Sequence, residues 1–436
     1  MAREMKDSGI EWIGEIPAEW ERKRLKFLVS YNDESLDEST DGDFVFDYID
    51  IGSVQYGKGI TQLQPMYFKD SPSRARRIVR TNDIILSTVR TYLKAVAKID
   101  ENEKPLIAST GFVVLRAKEN EILPSFLNYA VLSDAFISLV EANSVGISYP
   151  AINASVVADL SIPVPPLHEQ SLISRFLDLE CARIDSVIDQ TRASIEEYKK
   201  LKQAVITQAV TKGIRPDRQM KDSGVEWIGE IPSDWNILRK LSYSVNKPIS
   251  YGIIKLFDPD DENGVKVIRC SDVREGIIDS NNIRTVTKEI SDEYSRTILE
   301  GGEVLINVRG TLGGCAVVPT EMKGYNIARE VAMVSIDNTL LNKFLMYYFL
   351  SDAFINYENR HLAGSVYIGL NIEMLSACPI TLPSTVEQQG IVDYLDEKTG
   401  EINRLIEKKQ QLLSDLESYK KSLIYEYVTG KKEVPA

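Results

Sequence analysis

At 436 residues the chain is long enough for two or three domains, each with a core of its own. Its 43% of apolar residues include no run near the roughly 20 that span a bilayer, and its four cysteines form no CxxC pair, which excludes a membrane protein and a zinc ribbon. The net charge of −13 argues against a free-standing DNA-binding protein, unless basic side chains gather on one face and partners supply further charge.

The first element is a motif that occurs twice. Residues 5–20 read MKDSGIEWIGEIPAEW and residues 220–235 read MKDSGVEWIGEIPSDW, with thirteen of sixteen positions identical. This duplication predicts two copies of one unit placed head to tail. The first copy has no apolar stretch of the kind that a signal peptide needs, so we expect a cytoplasmic protein. The large apolar side chains of the two copies are candidates for packing on a neighbouring helix, which we favour, or for docking a partner: Trp12, Ile16, Trp20, Trp227, Ile231 and Trp235.

Each motif is followed by a variable region, at residues 21–160 and 236–378. Short runs rich in β-forming residues alternate there with Gly, Asp and Pro, which predicts a mixed α/β fold. The runs are VFDYIDIGSV, DIILSTV and GFVVLRA in the first region, and EVLINVRG and VAMVSI in the second. Both regions contain a shared segment, FLNYAVLSDAFI at 126–137 and FLMYYFLSDAFI at 344–355. Elsewhere the two regions diverge, which indicates one scaffold with two different surfaces.

Basic and aromatic residues of the variable regions are candidates for contact with DNA, because arginine reaches phosphates and guanine edges bidentately. The arginines of residues 74–80 are separated in sequence from the acidic stretch Asp33–Asp50. Aligning the Val-Arg pairs at 89–90 and 308–309 places Arg90 opposite Arg309. For any one of these residues, an ordinary solvated charge is an equally good interpretation. The candidates are Arg74, Arg76, Arg77, Arg80, Arg90, Tyr92, Lys94 and Tyr149 in the first region, and Lys255, Arg269, Arg274, Arg309, Arg329 and Tyr367 in the second.

A long helix closes each half. Mostly apolar residues recur at alternating spacings of four and three, as the inner seam of a coiled coil requires, from Leu177 to Ala209 and from Leu395 to Tyr427. Pro165-Pro166 marks the start of the first helix, and Ser384 with Glu387 predicts a capping box at the second. About 38 residues span about 57 Å. A helix of that length needs a partner along its seam, and we expect the two helices to pair antiparallel.

Residues for catalysis, a cofactor or a metal are not expected. The two histidines, His168 and His361, lack the spacing of metal ligands. Residues 52–58, GSVQYGK, match the first part of a phosphate-binding loop, but Gly59 stands where Ser or Thr should hold magnesium. We therefore interpret this segment as a loop between strands, and the chain as a protein that is not an enzyme.

With these features together, the chain resembles the specificity subunit of a type I restriction-modification system. The motif KDSGxEWIGEIPxxW carries the resemblance, and the helix openings IPVPPLHEQSLI and ITLPSTVEQQGIV add to it. The order of two variable regions alternating with two long helices is the third feature, so the resemblance covers the whole chain. His168 and Val386 stand before Glu-Gln where the family commonly has small residues, and the second opening has Pro-Ser for Pro-Pro. These departures alter only the entry to each helix.

The resemblance implies an α/β (α+β) fold class: two mixed α/β target-recognition domains separated by a pair of long antiparallel coiled-coil helices, with an internal pseudo-two-fold repeat. We expect the following boundaries. The repeat motif lies at 1–20, target-recognition domain 1 at 21–165, spacer helix 1 at 166–214, a linker with the second motif at 215–235, target-recognition domain 2 at 236–383, and spacer helix 2 at 384–436.

The resemblance further implies a non-catalytic subunit whose two domains each read one half of an asymmetric bipartite site in double-stranded DNA, while the helices set the spacing. Two methyltransferase (modification) subunits would dock on the helical repeats and carry S-adenosylmethionine. Restriction/translocase subunits that use ATP and Mg would join them, and this chain would bind no cofactor itself. Two unlike surfaces on like scaffolds suit an asymmetric site, since identical reading domains would require a palindrome.

Two other interpretations stay open. A coiled-coil scaffold or adaptor without direct DNA reading explains the helices but leaves two large, divergent domains without a purpose. A stand-alone DNA methyltransferase or nuclease would need a cofactor or metal motif, and the sequence shows none.

Overall fold

The computed structural model describes residues 3–10, 13–254, 264–362 and 369–435. Three candidate residues, Trp12, Lys255 and Tyr367, lie outside these ranges. The chain divides into two compact units: the first unit comprises Met1–Thr191 and Gln411–Ala436, and the second unit comprises Arg192–Gln410. Both units therefore contain part of each long helix.

The first unit contains two four-stranded sheets. One sheet is antiparallel throughout, in the order Val96–Lys98, Ile84–Ser87, Phe112–Ala117 and Val29–Tyr31. The other has the order Gln64–Tyr67, Val45–Ile49, Leu106–Ser109 and Ala75–Val79, with its two central strands parallel. Three strand pairs accompany them: Met5–Asp7 with Glu15–Pro17, Glu21–Arg24 with Ser161–Val164, and Val54–Gln55 with Gly59–Ile60.

The helices of the first unit follow its sheets in the chain, apart from one short helix near the start. Their bounds are Leu25–Leu28, Pro124–Leu132, Asp134–Ala142 and Ala154–Asp159, and the first long helix, Leu167–Lys212, runs on into the second unit. Ser133 separates two of them, because its side chain accepts a hydrogen bond from the backbone N–H of Phe136 and so caps the second. The main core joins the antiparallel sheet to these helices and to the repeated motif, through side chains such as Trp20, Phe126 and Leu177.

The antiparallel sheet of the second unit has the same strand order as that of the first. Starting from the edge strand that corresponds to Val29–Tyr31, the order is Ser250–Tyr251, Val331–Val334, Val304–Asn307 and Cys315–Val317. A mixed sheet of three strands has the order Arg284–Val286, Val265–Ile268 and Asn326–Ile327. The accompanying strand pairs are Met220–Asp222 with Glu230–Pro232, Asn236–Leu238 with Ile380–Leu382, and Val273–Arg274 with Ile277–Ile278. The helices are Lys288–Glu293, Asn342–Phe349, Asp352–Leu362, Ile372–Ala377 and the second long helix, Thr385–Val428, which continues into the first unit.

Within each unit the two long helices run in opposite directions. In the first unit, the rings of Phe176 and Tyr427 have centroids 4.5 Å apart, and Lys420 Nζ lies 2.7 Å from a carboxylate oxygen of Asp185. Residue numbers thus rise along one helix as they fall along its partner. In the second unit, Lys409 Nζ lies 5.7 Å from the ring centroid of Tyr198, while residue 213 faces residue 387. The expected antiparallel pairing is confirmed.

The strand predictions are confirmed, since each of the five β-rich runs contains a strand. The predicted capping box is only half right. The backbone N–H of Glu387 does donate to Ser384 Oγ, at 3.3 Å, but the Glu387 carboxylate accepts from Trp235 Nε1. A buried indole N–H needs an acceptor, and this one takes the carboxylate that the capping box would have used.

Among the described residues, every helix falls short of the combined length and hydropathy that a bilayer-crossing segment requires.

Candidate nucleic-acid interface

Each copy of the repeated motif ends in a tryptophan that is held between the ends of the two long helices of its unit. In the first unit Trp20 is fully buried, and its Nε1–H donates to Glu169 Oε2 at 2.8 Å, at the start of the first long helix. Gly430, with φ of +71°, follows the second long helix, and a Cβ there would lie 2.3 Å from Pro17 and 3.2 Å from Trp20. Arg3 pairs with the same Glu169. We call this arrangement the first tryptophan clamp.

The second tryptophan clamp repeats the first with the roles of the helices exchanged. Trp235 Nε1–H donates to Glu387 Oε2 at 3.0 Å, at the start of the second long helix. Gly213, with φ of +77°, follows the first long helix, and a Cβ there would lie 3.2 Å from the Trp235 ring. Arg218 pairs with Glu387 and with Asp234. A left-handed glycine after a helix lets the chain turn tightly enough for the indole to approach.

The glutamine that follows each clamp glutamate bonds to the backbone of its unit. Gln170 accepts from the N–H of Leu123 at 2.8 Å and donates to the carbonyl of Pro165 at 2.9 Å. Gln388 makes the same two bonds, with Leu341 and Pro383, at 2.8 and 3.0 Å. The Glu-Gln pair of each helix opening therefore ties the long helix to the variable region.

A tyrosine–aspartate bond in each unit also joins the shared segment to a long helix, and sequence reasoning missed it. Tyr129 donates to Asp178 at 2.7 Å, and Tyr347 donates to Asp396 at 2.8 Å. Burial, together with the neighbouring carboxylate, raises the pKa of both phenols above their ordinary value, so they remain donors. The constant offset between the two pairs was the signal that would have found them.

Of the remaining apolar candidates in the motifs, Ile16 and Ile231 lie in the cores. Trp227 differs, because its ring is only half-buried, 5.4 Å from Tyr357 and 6.5 Å from His361 between centroids. Its Nε1 is buried and has no hydrogen-bond partner among the described residues. It lines an open groove of about 760 Å³ on the second unit.

The arginines of residues 74–80 do not form the separate basic surface that their sequence positions indicate. Arg74 bonds to Tyr48 and pairs with Asp50 at 3.2 Å, and Arg80 pairs with Glu34. A backbone bridge between Ser35 and Arg77 brings the start of the acidic stretch beside this strand, so separation along the chain is no guide to separation in space.

The other two arginines of this strand differ from each other. Arg76 stacks on Phe68, 4.8 Å from its ring centroid, and donates to the carbonyl of Ala75. Arg77 is half-buried, and its Nε lacks a partner within the described ranges. Arg74, Arg76 and Arg80 are therefore weaker candidates for direct base contacts than the residues of the next hairpin.

The first hairpin, residues 88–95, holds two cations in left-handed backbone. Arg90 and Lys94 have φ of +50° and +52°, a conformation that residues with a Cβ rarely adopt. The Arg90 guanidinium lies 5.4 Å from the ring centroid of Tyr149, and it has no carboxylate partner in the part of the chain that the structure describes. Lys94 Nζ is 3.6 Å from Glu141, and Tyr92 is 51% exposed. Backbone strain of this kind is typical of functional sites.

A neighbouring loop of the first unit, the apolar loop at residues 145–151, is joined to the first hairpin. Val145 and Ala151 exchange backbone hydrogen bonds of 2.8 and 3.0 Å, which close the loop. Thr91 Oγ1 donates to Ser144 Oγ at 2.9 Å and connects the two segments. Large side chains of the loop face solvent: Val145 is 81% exposed, Ile147 103% and Tyr149 68%.

The second unit has the corresponding hairpin at residues 308–314, the second hairpin. Its position follows from the hydrogen bonds: the N–H of Thr88 donates to the carbonyl of Gly111 at 2.7 Å, and the N–H of Val308 donates to that of Glu330 at 2.9 Å. Val308 is therefore the counterpart of Thr88.

This correspondence corrects the alignment of the Val-Arg pairs by one residue. Arg309 is the counterpart of Val89, and Gly310, with φ of +76°, is the counterpart of Arg90. The strand ladder sets the register, and a shared dipeptide does not. Arg309 nevertheless also stacks on a tyrosine, with its guanidinium 5.2 Å from the ring centroid of Tyr251.

The other basic candidates of the second unit divide into paired and unpaired residues. Arg269 pairs with Asp272 at 3.0 Å, and Arg274 pairs with Asp279 at 3.0 Å. Arg329 is exposed, and its side chain has no carboxylate partner within the described ranges. Among the basic candidates of this unit that the structure describes, Arg309 and Arg329 are thus the two whose charge remains available.

The histidines and the GSVQYGK segment are the parts of the sequence that were considered for a metal or phosphate site. Within the ranges that the structure describes, no His, Cys, Asp or Glu side chains are grouped so that they would hold a metal ion. His361 Nδ1 is 2.8 Å from the carbonyl of Tyr357, one turn earlier in its helix. The GSVQYGK segment contains the short strand Val54–Gln55 and the turn that leads to its partner Gly59–Ile60, so a strand follows it where a phosphate-binding loop would be followed by a helix.

Comparison with known proteins decides the family. The family model described as type I restriction modification DNA specificity domain matches residues 17–197 and again residues 247–414. The chain belongs to this family. It is a DNA specificity subunit of a type I restriction-modification system, a recognition subunit and not itself an enzyme, as the resemblance implied.

Relatives of this specificity subunit match along most of its length. The EcoBI specificity subunit of Escherichia coli is 25% identical over 342 residues, which are 75% of this chain and 70% of the relative. The putative MjaX specificity subunit of Methanocaldococcus jannaschii is 25% identical over 438 residues, which are 97% of this chain and 96% of the relative.

Solved structures share the fold. A chain from work on complex assembly and conformational transition of the type I R-M system has a TM-score of 0.73 at 22% identity, and the match covers 96% of this chain and 99% of that one. The HsdS subunit from Thermoanaerobacter tengcongensis has a TM-score of 0.51 at 22% identity, and the match covers 96% and 98%.

Proposed function

We propose that each unit of this specificity subunit reads one half of an asymmetric, bipartite sequence in double-stranded DNA. The observation that carries the proposal is the pair of hairpins. They occupy the same position in the same scaffold, yet the first presents Val-Arg-Thr-Tyr-Leu-Lys at 89–94 and the second presents Arg-Gly-Thr-Leu-Gly at 309–313. Equivalent positions with unlike donors suit two different half-sites.

Within this proposal, Arg90 and Arg309 are the main base-contacting residues. Each guanidinium stacks on a tyrosine ring, which leaves its N–H groups free for a base edge or a phosphate. Stacking also restricts the side chain before DNA arrives, so less conformational entropy is lost on binding.

The long helices, with the bounds expected from the sequence at 166–214 and 384–436, would set the distance between the two half-sites. Two methyltransferase subunits carrying S-adenosylmethionine would dock, one on each tryptophan clamp and its helix ends, because the two clamps offer nearly the same residues twice. Restriction/translocase subunits would bring ATP and Mg. The partners would supply the positive charge that a chain of net charge −13 lacks.

The test is a pair of substitutions read out on the methylated sequence. The specificity subunit is produced with its methyltransferase subunits, and the methylated sites are mapped. Arg90→Ala is expected to relax or weaken one half-site about tenfold, and Arg309→Ala the other half-site by a similar factor.

Arg74→Ala is the matched control, because Arg74 is exposed on the same unit but bonds to Tyr48 and Asp50. It should leave both half-sites as they are. Loss at both half-sites from Arg90→Ala alone, with folding intact, would contradict independent reading by the two units.

A further inference from the structure

The apolar loop of the first unit exposes more hydrocarbon than a solvated surface loop needs. Val145 and Ile147 are 81% and 103% exposed, although both are β-branched residues that a soluble protein usually buries. Exposed apolar side chains grouped beside polar ones are typical of a binding surface.

The loop is held in place by backbone bonds at its base. Val145 and Ala151 close it, and the backbone N–H of Ile152 donates to the carbonyl of Thr88 in the first hairpin at 2.8 Å. Gly146 has φ of +115°, and a Cβ at this position would lie 3.1 Å from the carbonyl oxygen of Tyr149, so the turn requires glycine. Because Val and Ile are stiff at χ1, the apolar groups lose little freedom on contact.

The surroundings of the loop favour DNA as the occupant. Arg90 lies over Tyr149 of the same loop, and Lys94 is on the adjoining hairpin. An acidic side chain also lies nearby, since Glu141 is 3.6 Å from Lys94 Nζ. Apolar side chains flanked by cations match the major groove at an A·T pair, where the thymine methyl group is the single apolar feature of the base edges.

We propose that Val145 and Ile147 recognise the methyl groups of thymine in the half-site that the first unit reads. The inference rests on the proposed reading role of that unit. Arg90 and Lys94 hold the duplex backbone and neighbouring bases, while the two aliphatic side chains contact thymine C5-methyl groups and thereby distinguish A·T from the other pairs.

The experiment replaces each thymine of that half-site in turn by deoxyuridine, which removes only the methyl group. Binding of the duplex to the specificity subunit with its methyltransferase subunits is measured. We expect at least one replacement to weaken binding about fourfold, the value for one buried methyl-sized group. In the Val145→Ala, Ile147→Ala double variant, thymine and deoxyuridine duplexes should bind alike.

Ile277→Ala is the matched control, since Ile277 is 63% exposed on the second unit. It should keep the discrimination between thymine and deoxyuridine. Ile147→Ser is a second variant that retains a similar surface position and should lose the discrimination if folding, followed by thermal unfolding, is unchanged.

The inference is overturned if the wild-type complex binds every deoxyuridine duplex as tightly as the thymine duplex. The fluorescence of 2-aminopurine then separates two cases. An unchanged signal leaves the loop without a role at the bases, and a rise on binding makes it a wedge between them. If Arg90→Ala still alters the half-site in either case, the proposed function stands and only this inference fails.

Discussion

At the scale of single residues, the two units differ at a core position that is apolar in one and ionisable in the other. The repeat offset places Glu358 opposite Val140, and both are buried, at 7% and 2% exposure. Glu358 lines a small cavity with Gln203 and Phe354, and burial raises its pKa from the ordinary 4.5 to about 7.

We predict that Glu358 makes the second unit less stable as pH rises from about 4.5 to about 7. The folded state binds more protons than the unfolded state in that window, so the free energy of unfolding falls with rising pH and levels off above it. Glu358→Val should raise the free energy of unfolding by about 2 kcal/mol at pH 8, after allowance for partial solvent screening, and should change little at pH 4.5. Urea unfolding at several pH values measures this.

Glu275→Gln is a suitable control for the Glu358 prediction. Glu275 borders the same cavity but is exposed and pairs with Lys202 at 3.0 Å. Its replacement should preserve the pH slope of the wild type. An equal slope in Glu358→Val and the wild type would show that Glu358 is not the titrating group.

At the scale of elements, the two hairpins show how one scaffold accommodates different surfaces. Gly310 and Gly313 hold the left-handed positions of the second hairpin, whereas Arg90 and Lys94 hold them in the first. The first unit therefore keeps a cation with a strained backbone at each of two positions where glycine would relieve the strain.

We predict that Arg90→Gly raises the free energy of unfolding by about 1 kcal/mol while it weakens binding to the first half-site. The gain arises because glycine adopts φ of +50° without a clash of its Cβ. Thermal unfolding and DNA binding, measured on the same samples, check the two halves of the prediction. Asn82→Gly, at φ of +72° and outside the hairpin, should leave DNA binding unchanged. Loss of both stability and binding in Arg90→Gly would contradict a strained, functional arginine.

At the scale of the whole molecule, each long helix passes from one compact unit to the other, at Thr191 in the first helix and at Gln410 in the second. The antiparallel contacts within each unit keep the seam in register on both sides of these points.

We predict that matched seven-residue insertions, after Thr191 and after Gln410, lengthen the unread spacer of the DNA site and leave both half-sites unchanged. Seven residues preserve the heptad register and add about 10.5 Å of rise. That is about three base-pair steps of 3.4 Å. Mapping of the methylated sequence in cells measures the spacer. An insertion in one helix alone should instead disrupt the seam and lower stability, and an unchanged spacer in the matched variant would reject a ruler role.

Much of the fold could be predicted from the sequence because its signals are local or periodic. The alternation of fours and threes from Leu177 indicates a helix whichever partner it meets, and the β-rich runs indicate strands from their composition alone. The candidate site could be predicted only in part. Arg90 and Arg309 stay predictions for DNA contact, whereas Arg74 and Arg80 are paired with Asp50 and Glu34.

By itself, the sequence determined that this protein is a duplicated unit with two long helices and the motifs of a type I specificity subunit, because identity between segments and periodicity along a helix are read from the order of residues without their contacts. Only the tertiary structure decided which of the described cations lack a carboxylate partner and that Ile147 is exposed. It also decided that the two hairpins align one residue away from the alignment of their Val-Arg pairs. These features depend on contacts between distant residues, such as Thr91 and Ser144, which are 53 positions apart. No local pattern encodes the partner of a side chain across such a distance.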